Sequence, residues 1–257
     1  MGKIIAVSNQ KGGVGKTTTS VNLAACLGMM DKKVLLLDLD PQGNSTLALG
    51  VDSDNEKYTV YNVILDECSA KEAIVRSMYD NLDLMPAMQE LSIAEVKMAK
   101  IEGIKDKQNM LRNQMKAVKD DYDFIIIDCP PSLGFLNIVA LTAADTVLIP
   151  IQCEFFALQG TLDLMRSIRT IQLSSNRELQ VEGVLLTMYD SRNNMSKEVE
   201  EEVRKNFSKK VYHTLIKRNV TLIEASSVGQ PVCRYDSRSA GCKDYMNLAK
   251  EVIKNNG

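Results

Sequence analysis

A glycine-rich stretch near the N-terminus, residues 8–19, constrains the fold of this chain more than any other feature. It reads SNQKGGVGKTTT and stands between an apolar run at 4–7 and a helical pattern that begins at Val21. A strand, a glycine-rich turn and a helix in this order point backbone N–H groups inward beside a helix N-terminus, which stabilises phosphate oxygens. Lys16 supplies the charge that reaches the terminal phosphates, and the Thr17 hydroxyl is suited to Mg²⁺. The stretch therefore predicts a phosphate-binding loop.

This loop departs from the usual phosphate-binding pattern at its first position. The pattern G-x-x-x-x-G-K-[ST] requires a glycine where Gln10 stands, and a second lysine, Lys11, lies at the start of the loop. A lysine there is expected at the rim, where it can fold back onto its own nucleotide or reach a phosphate held by another molecule. An ordinary strand-to-helix turn would explain the glycines, but not Gly-Lys-Thr in this context.

Short β-branched runs alternate with helical patterns along the chain. Strands are predicted at 4–7, 34–37, 82–85, 124–127, 147–151, 183–187 and 211–214. Helices are predicted for longer amphipathic stretches that include 91–118, 155–173 and 196–207. Several strands are continuously apolar, which is typical of strands buried on both faces of a parallel sheet. The order predicts an α/β fold, a doubly wound and mostly parallel sheet with helices on both faces, formed by a single domain over 1–257.

Two aspartates directly follow the predicted strand at 34–37. Asp38 and Asp40 belong to the segment DLDPQGN, in which Pro41 and Gly43 turn the chain. Ligands of such sheets bind at the carboxyl ends of the strands, so both carboxylates are expected near the bound phosphates. Because alternate residues leave a strand on opposite sides, the two carboxylates are expected to have different roles. A turn at a strand end would explain the proline and the glycine, but not both aspartates.

A third carboxylate ends the apolar strand at 124–127. Asp128 is followed by CPPSLG, a double-proline turn that closes at Gly134. A carboxylate in this position can hold Mg²⁺ through water. The three strand ends together predict a site for ATP and Mg²⁺.

Composition argues against several classes of protein. The 257 residues are 45% hydrophobic and 25% charged, which is ordinary for a globular protein. No apolar run approaches the roughly 20 residues that span a bilayer, and the N-terminus leads directly into a strand without a signal segment, so a cytoplasmic location is expected. The cysteines show no C-x-x-C spacing and His213 is the only histidine, which disfavours zinc sites and disulfide frameworks. The basic segment 192–257 contrasts with an acidic remainder and weakly suggests an anionic partner.

Taken together, these motifs resemble the deviant Walker A ATPases, the family of ParA/Soj partition proteins, MinD and the nitrogenase iron protein. The segment around Asp38 and Asp40 resembles switch I, and the segment after Asp128 resembles switch II. The resemblance to chromosomal, Soj-like ParA proteins extends through LTAADTVLIPIQCE at 141–154, LLTMYDSR at 185–192, RNV at 218–220, GQP at 229–231 and YDSRSAG at 235–241.

This resemblance implies a set of site residues. Lys11, Lys16 and Asp40 are expected to be catalytic, with Asp40 orienting the attacking water. The metal is expected beside Thr17, Asp38 and Asp128. Two surface arginines, Arg192 and Arg218, are expected to contact DNA, with neighbouring Lys197, Arg204, Lys205, Lys209 and Lys210 extending the patch. The nucleotide is expected to contact Lys11, Gly12, Gly13, Val14, Gly15, Lys16, Thr17, Thr18, Lys217 and Asn219.

The resemblance also implies partners. It predicts a slow, partner-stimulated ATP hydrolase that forms a sandwich homodimer when ATP is bound, with Lys11 crossing the seam and Gly13 lying at it. The dimer is expected to bind double-stranded DNA without sequence preference and so to associate with the nucleoid rather than with a membrane. A ParB/Spo0J-like protein is the expected partner in chromosome or plasmid partitioning, and a replication initiator is a further candidate partner.

Three rival interpretations remain at this point. A MinD-like membrane-associated positioning ATPase would end in an amphipathic helix, but the apolar residues at 245–253 are more simply explained by core packing. An iron–sulfur reductase would need cysteine ligands, and Cys129 and Cys153 lie near the switch regions without a glycine-rich ligand loop. A binding module without turnover would bind nucleotide and release no phosphate.

Overall fold

A seven-stranded sheet forms the centre of the molecule in a computed structural model that describes residues 2–100, 107–154 and 159–257. The strands are β1 (Lys3–Val7), β2 (Val34–Asp38), β3 (Val75–Arg76), β4 (Leu82–Met85), β5 (Phe124–Asp128), β6 (Thr146–Gln152) and β7 (Gln180–Thr187). Their order is β3-β4-β2-β5-β1-β6-β7, and every neighbouring pair is parallel except β3 with β4. This sheet confirms the predicted α/β fold.

Helices connect the strands and cover both faces of the sheet. The α-helices of the described residues are α1 (Lys16–Gly28), α2 (Asn44–Ala48), α3 (Val60–Ile64), α4 (Ala94–Lys100), α5 (Met110–Lys116), α6 (Phe135–Ala143), α7 (Gln159–Ser174), α8 (Asn194–Phe207), α9 (Val220–Ser227), α10 (Val232–Tyr235) and α11 (Ala240–Asn256). Within those residues, none of the helices has the length and apolar character needed to cross a membrane. Parts of two predicted helices, 101–106 and 155–158, lie outside the described residues.

Two apolar cores lie on opposite faces of the sheet. In β5, Ile125 and Ile127 belong to one core, and Ile126 between them belongs to the other. Strands buried on both faces need apolar residues at every position, which explains the uninterrupted run before Asp128. The sheet is therefore a rigid layer, and its strand ends hold the loops in place.

The predicted strand at 211–214 is wrong. That segment runs beside β7, and the Tyr212 amide donates to the Val184 carbonyl, but only an isolated bridge forms. The amides of His213 and Thr214 instead donate to the carboxylate of Glu251 in α11 at 2.8 and 3.1 Å. A side-chain carboxylate thus takes the donors that a strand ladder would need. The two-residue edge strand β3 was not predicted.

The C-terminal helix α11 turns its apolar face into the protein. Tyr245, Leu248, Ala249 and Val252 are each 1% exposed or less. The hydroxyl groups of Tyr245 and Thr19 lie 3.1 Å apart and join α11 to α1. The prediction that this face is core packing is confirmed, and the face is not available to a membrane surface.

Candidate functional site

The loop between β1 and α1 forms an open cradle at the carboxyl edge of the sheet. Gly13 and Gly15 have φ angles of +74° and +85°, which side chains disfavour, so the glycines are required by the backbone. A Cβ atom added at Gly12 or Gly13 would meet none of the described residues within 4 Å. Helix α1 starts at Lys16, with Gly15 as its N-cap. Backbone N–H groups and the positive end of α1 therefore border a space in which phosphate groups fit.

Two lysines of the loop occupy different environments. Lys16 is 7% exposed, and its Nζ donates to the Lys11 carbonyl at 3.1 Å. Burial lowers the pKa of Lys16, and the nearby carboxylates of Asp128 and Asp40 oppose that shift. Lys11 lies at the rim, where its Nζ is 3.3 Å from Glu154 Oε2 and its side chain is 39% exposed. Lys16 is thus positioned inside the cradle, and Lys11 at its edge.

Asp128, the last residue of β5, accepts hydrogen bonds from three hydroxyl groups. Thr17 and Ser45 donate to its Oδ2 at 2.8 Å each, and Ser20 donates to Oδ1 at 3.1 Å. Thr17 and Ser20 lie one turn apart on α1 and so face the same way. This cluster joins the phosphate loop, β5 and α2 around one carboxylate. Hydroxyl and carboxylate oxygens are the ligands that Mg²⁺ prefers, so the donor set fits that ion.

Asp38, the last residue of β2, is fully buried beside Asp128 in the register of the sheet. Its Oδ2 accepts hydrogen bonds from the amide and the hydroxyl of Thr46, at 2.8 Å each. Burial, together with nearby carboxylates, raises the pKa of both Asp38 and Asp128 above the usual carboxyl range. A bound cation would offset that cost, which is a second reason why the site suits a metal ion.

Asp40 has different surroundings from Asp38. It lies in the loop after β2, is 8% exposed, and accepts a hydrogen bond from the Gln42 amide at 3.0 Å through Oδ1. Its amide donates to Asp38 Oδ1 at 3.2 Å, which links the two carboxylates through the backbone. Asp40 is also close enough to Lys16 to act on its charge. The carboxylate therefore lies close to the Lys16 side of the loop.

A cavity of about 460 Å³ adjoins the phosphate loop. Gly15 and Thr18 border it on the loop side, and apolar side chains form much of the remaining wall, namely Ile216, Leu222, Ile223 and Tyr245. Lys217 and Asn219 also line it. The Lys217 amide donates to Asp244 at 3.1 Å, and Asn219 Oδ1 caps α9 by accepting from the Thr221 amide at 2.9 Å. An apolar cavity beside a phosphate cradle suits a nucleotide base.

Arg192 and Arg218 lie on neighbouring loops. Lys217 bridges to Tyr189, and the Arg218 amide donates to the Tyr189 carbonyl at 3.2 Å. Arg192 is 88% exposed and forms two hydrogen bonds to Asp190, at 3.0 and 2.9 Å. These bonds from Arg192, with a smaller effect of Arg218, lower the pKa of Asp190 to about 2. A negative charge therefore lies directly beside Arg192 and close enough to Arg218 to interact with it.

The surrounding basic side chains are not all free to extend that patch. Arg204 donates to Glu200 at 2.9 Å and to the Tyr212 carbonyl at 3.3 Å, so it holds α8 against the segment after it. Lys197, Lys205, Lys209 and Lys210 are exposed.

Several residues of the site were not predicted from the sequence. They are Ser20, Ser45, Thr46 and Glu154, the direct partners of the predicted carboxylates and of Lys11. Ser20 had a local signal, because it lies three residues after Thr17 on the same helix face. Ser45 and Thr46 directly follow the DLDPQGN segment, and nothing in that pattern indicates which hydroxyl faces which aspartate.

Comparison with known proteins gives consistent results. A family model described as an AAA domain matches residues 2–181. The chain is 50% identical to the sporulation initiation inhibitor protein Soj of Bacillus subtilis, over 99% of this chain and 100% of that protein. It is 44% identical to the chromosome partitioning protein ParA of Myxococcus xanthus, over 99% of this chain and 89% of that one.

A solved structure supports the same conclusion. Cobyrinic acid a,c-diamide synthase from Mycobacterium smegmatis, crystallised with an ATP analogue and magnesium, superposes with a TM-score of 0.87. The sequence identity is 35%, and the match covers 99% of this chain and 95% of that one. The likeness in fold therefore extends over nearly the whole of both chains.

Proposed function

The chain belongs to the ParA/Soj family of P-loop ATPases, and from that premise we propose that it hydrolyses ATP to drive the partitioning of chromosomes or plasmids. The observation that carries the proposal is the convergence of Lys16, Asp40 and the Asp38–Asp128 pair at one edge of the sheet. An ATP dimer that binds DNA without sequence preference is the active species, and a ParB-type protein is its partner.

Each loop has a distinct task in the proposed reaction. The backbone N–H groups at 12–17 and the Lys16 ammonium bind the phosphates and neutralise charge that develops on them. Thr17, Asp128 and Asp38 would hold Mg²⁺, which would neutralise charge on the phosphates. Asp40 orients the attacking water, and the cavity beside α9 receives the adenine, where Lys217 and Asn219 contact it. Slow turnover would let the rate of ATP hydrolysis set how long the ATP-bound state lasts.

Dimer formation is proposed from the position of Lys11 and the open face of the loop. Lys11 is held at the rim by an exposed ion pair with Glu154, and such pairs contribute little free energy. The pair can therefore break when the phosphate of a second subunit offers a stronger partner. Gly12 and Gly13 are exposed beside it, so a second copy can approach the cradle closely.

Gly12→Val is the sharper test of that dimer. Gly12 lacks the left-handed backbone of Gly13, and its added side chain would meet none of the described residues within 4 Å. We expect the variant to bind ATP with the affinity of wild type and to remain a monomer by light scattering, because valine crowds the seam. Gly13→Val is less informative, since a φ of +74° strains the loop itself. A Gly12→Val protein that dimerises on ATP as wild type does would contradict the assembly.

DNA binding is proposed for the face that carries Arg192 and Arg218. Phosphate contacts need charge rather than base-edge geometry, so binding is expected to be independent of sequence and weakened by salt. One subunit offers few such contacts. A rigid dimer doubles them on one face, and the second set acts at high effective concentration, so avidity rises steeply. ATP would thereby switch DNA binding on, and hydrolysis stimulated by the ParB-type partner would switch it off.

DNA retardation with ATP, and with ADP as control, tests the whole cycle. We expect retardation only with ATP, strongest in Asp40→Ala, in which turnover stops. Arg192→Ala and Arg218→Ala should dimerise normally and lose most of their DNA affinity. Asp190→Asn is the matched variant, because it removes the negative charge beside Arg192 and should tighten binding about threefold. If both arginine variants dimerise and retard DNA as wild type does, the assigned surface is wrong.

A further inference from the structure

A second cavity lies at the opposite edge of the sheet from the phosphate loop. It has a volume of about 850 Å³ and is bordered by the first residues of β1, β6 and β7 and by the C-terminal part of α5. The turn before β6 and the turn before β7 complete its wall, including residues 143–145 and 176–178. The length of β6 separates the two edges by about 20 Å, so this cavity is independent of the nucleotide cradle.

Positive charge dominates the wall of this basal cavity. Five cationic side chains line it, against the two carboxylates of Asp145 and Glu178, and the five are Lys3, Arg112, Lys116, Lys119 and Arg177. The chain as a whole carries a net charge of −2, so the overall composition does not explain this local excess of cations. A concave wall of one sign focuses the electrostatic potential and attracts ions of the opposite sign.

Not all of these cations are neutralised by their neighbours. Lys119 is paired with Asp145 at 2.8 Å, and Lys3 approaches Glu182 only to 4.0 Å. Arg112 uses Nη1 to donate to the Ser175 carbonyl at 3.1 Å, which leaves its remaining N–H groups for another acceptor. Lys116 donates to the neutral amide of Asn113.

Arg177 completes the set of available donors. It is exposed and forms none of the ion pairs found among the described residues. Two guanidinium groups and one ammonium group therefore remain able to bind an anion at the mouth of the cavity.

We propose that the basal cavity binds a small anion that carries two or more phosphate groups. Its volume lies in the range of small-molecule sites. Guanidinium groups match phosphate oxygens with two parallel hydrogen bonds, and the wall offers two of them, Arg112 from α5 and Arg177 from the turn before β7. The phosphate groups neutralise the excess positive charge of the wall.

Titration calorimetry with inorganic pyrophosphate, in the absence of divalent ions, tests the proposal. The full-length Lys16→Ala protein is the background, because its nucleotide cradle is impaired and a phosphate ligand would otherwise bind there. We expect one saturable site per chain. Adding Lys116→Glu and Arg177→Glu, both at exposed positions, should weaken pyrophosphate binding at least about tenfold through charge repulsion.

The matched control adds Arg238→Glu and Lys243→Glu, which make the same change of charge at exposed positions that do not line the cavity. That protein should bind pyrophosphate as the background does. Equal affinity in the Lys116→Glu/Arg177→Glu protein and its control would overturn the proposal. Citrate binding as tightly as pyrophosphate would overturn the preference for phosphate.

Discussion

The two edges of the sheet hold their carboxylates in opposite ways. At the edge where the strands end, Asp128 accepts hydrogen bonds from three hydroxyl groups. At the edge where the strands begin, Asp145 is bound by the Lys119 ammonium and by the Ile4 amide, at 2.8 Å each. Hydroxyl groups can rotate and give way to a cation, whereas an ammonium group and a backbone amide hold the carboxylate in place.

This difference distinguishes a carboxylate that is free to bind a cation, Asp128, from a carboxylate that holds the fold together, Asp145. Burial raises the pKa of Asp128 and so makes its ionised form costly in the free protein. Asp145 is tied to β1 by a backbone hydrogen bond and to the start of β6 by the chain itself. Substitutions around Asp128 should therefore change chemistry, and substitution of Asp145 should change stability.

The largest effect is expected at Asp40, the carboxylate proposed to be catalytic. Asp40→Ala should leave ATP affinity nearly unchanged and lower turnover by about 10²- to 10⁴-fold, because the attacking water loses the group that orients it. Phosphate release under saturating ATP and Mg²⁺ measures the rate, and equilibrium binding of a fluorescent ATP analogue measures the affinity. Hydrolysis at the wild-type rate would show that Asp40 does not have this role.

A pair of lysine substitutions compares the edges directly. Lys16→Ala should weaken ATP binding by about a hundredfold, since the phosphates lose their buried counter-charge. Lys119→Ala removes an equal charge from the opposite edge and should leave ATP affinity within about twofold of wild type, since it lies beyond the reach of screened electrostatics. Titration calorimetry on both proteins measures the two affinities. Similar losses in both would mean that the edges do not differ as proposed.

The smallest effect concerns stability. Asp145→Asn weakens the pairing with Lys119 and the hydrogen bond from Ile4, and should lower the free energy of unfolding by about 1–2 kcal/mol. Asp128→Asn should change it by less than about 1 kcal/mol, because weakened hydrogen bonds are offset by relief of a buried charge. Urea unfolding of the nucleotide-free proteins measures both values. A larger loss for Asp128→Asn than for Asp145→Asn would contradict the comparison.

Six of the seven predicted strands lie within strands of the structure, because each carries its own apolar run and punctuating turn. The failure at 211–214 has a non-local cause. The β-branched pattern there is genuine, but Glu251 takes two of the amide donors from a helix that begins nearly thirty residues later in the chain. No pattern within the segment could reveal that competition.

The residues of the candidate site were also predictable only in part from the sequence. Strand-end aspartates were predicted to meet because parallel strands bring their carboxyl ends to one edge, and Asp38 and Asp128 do lie in register. Which hydroxyl binds each carboxylate was not predictable, since serine and threonine are common in all loops. The ion pair between Arg192 and Asp190 joins residues only two apart, yet the sequence alone did not distinguish it from a free arginine.

By itself, the sequence determined the glycine-rich loop between β1 and α1, six of the seven strands and the family, because those properties depend on residues adjacent along the chain. Only the tertiary structure decided which groups surround each charge. Ser45 binds Asp128 across 83 positions, and Lys11 pairs with Glu154 across 143. The basal cavity likewise gathers its cations from β1, from α5 and its following turn, and from the turn before β7. The packing of two apolar cores against one sheet sets those distances, and the local sequence does not specify them.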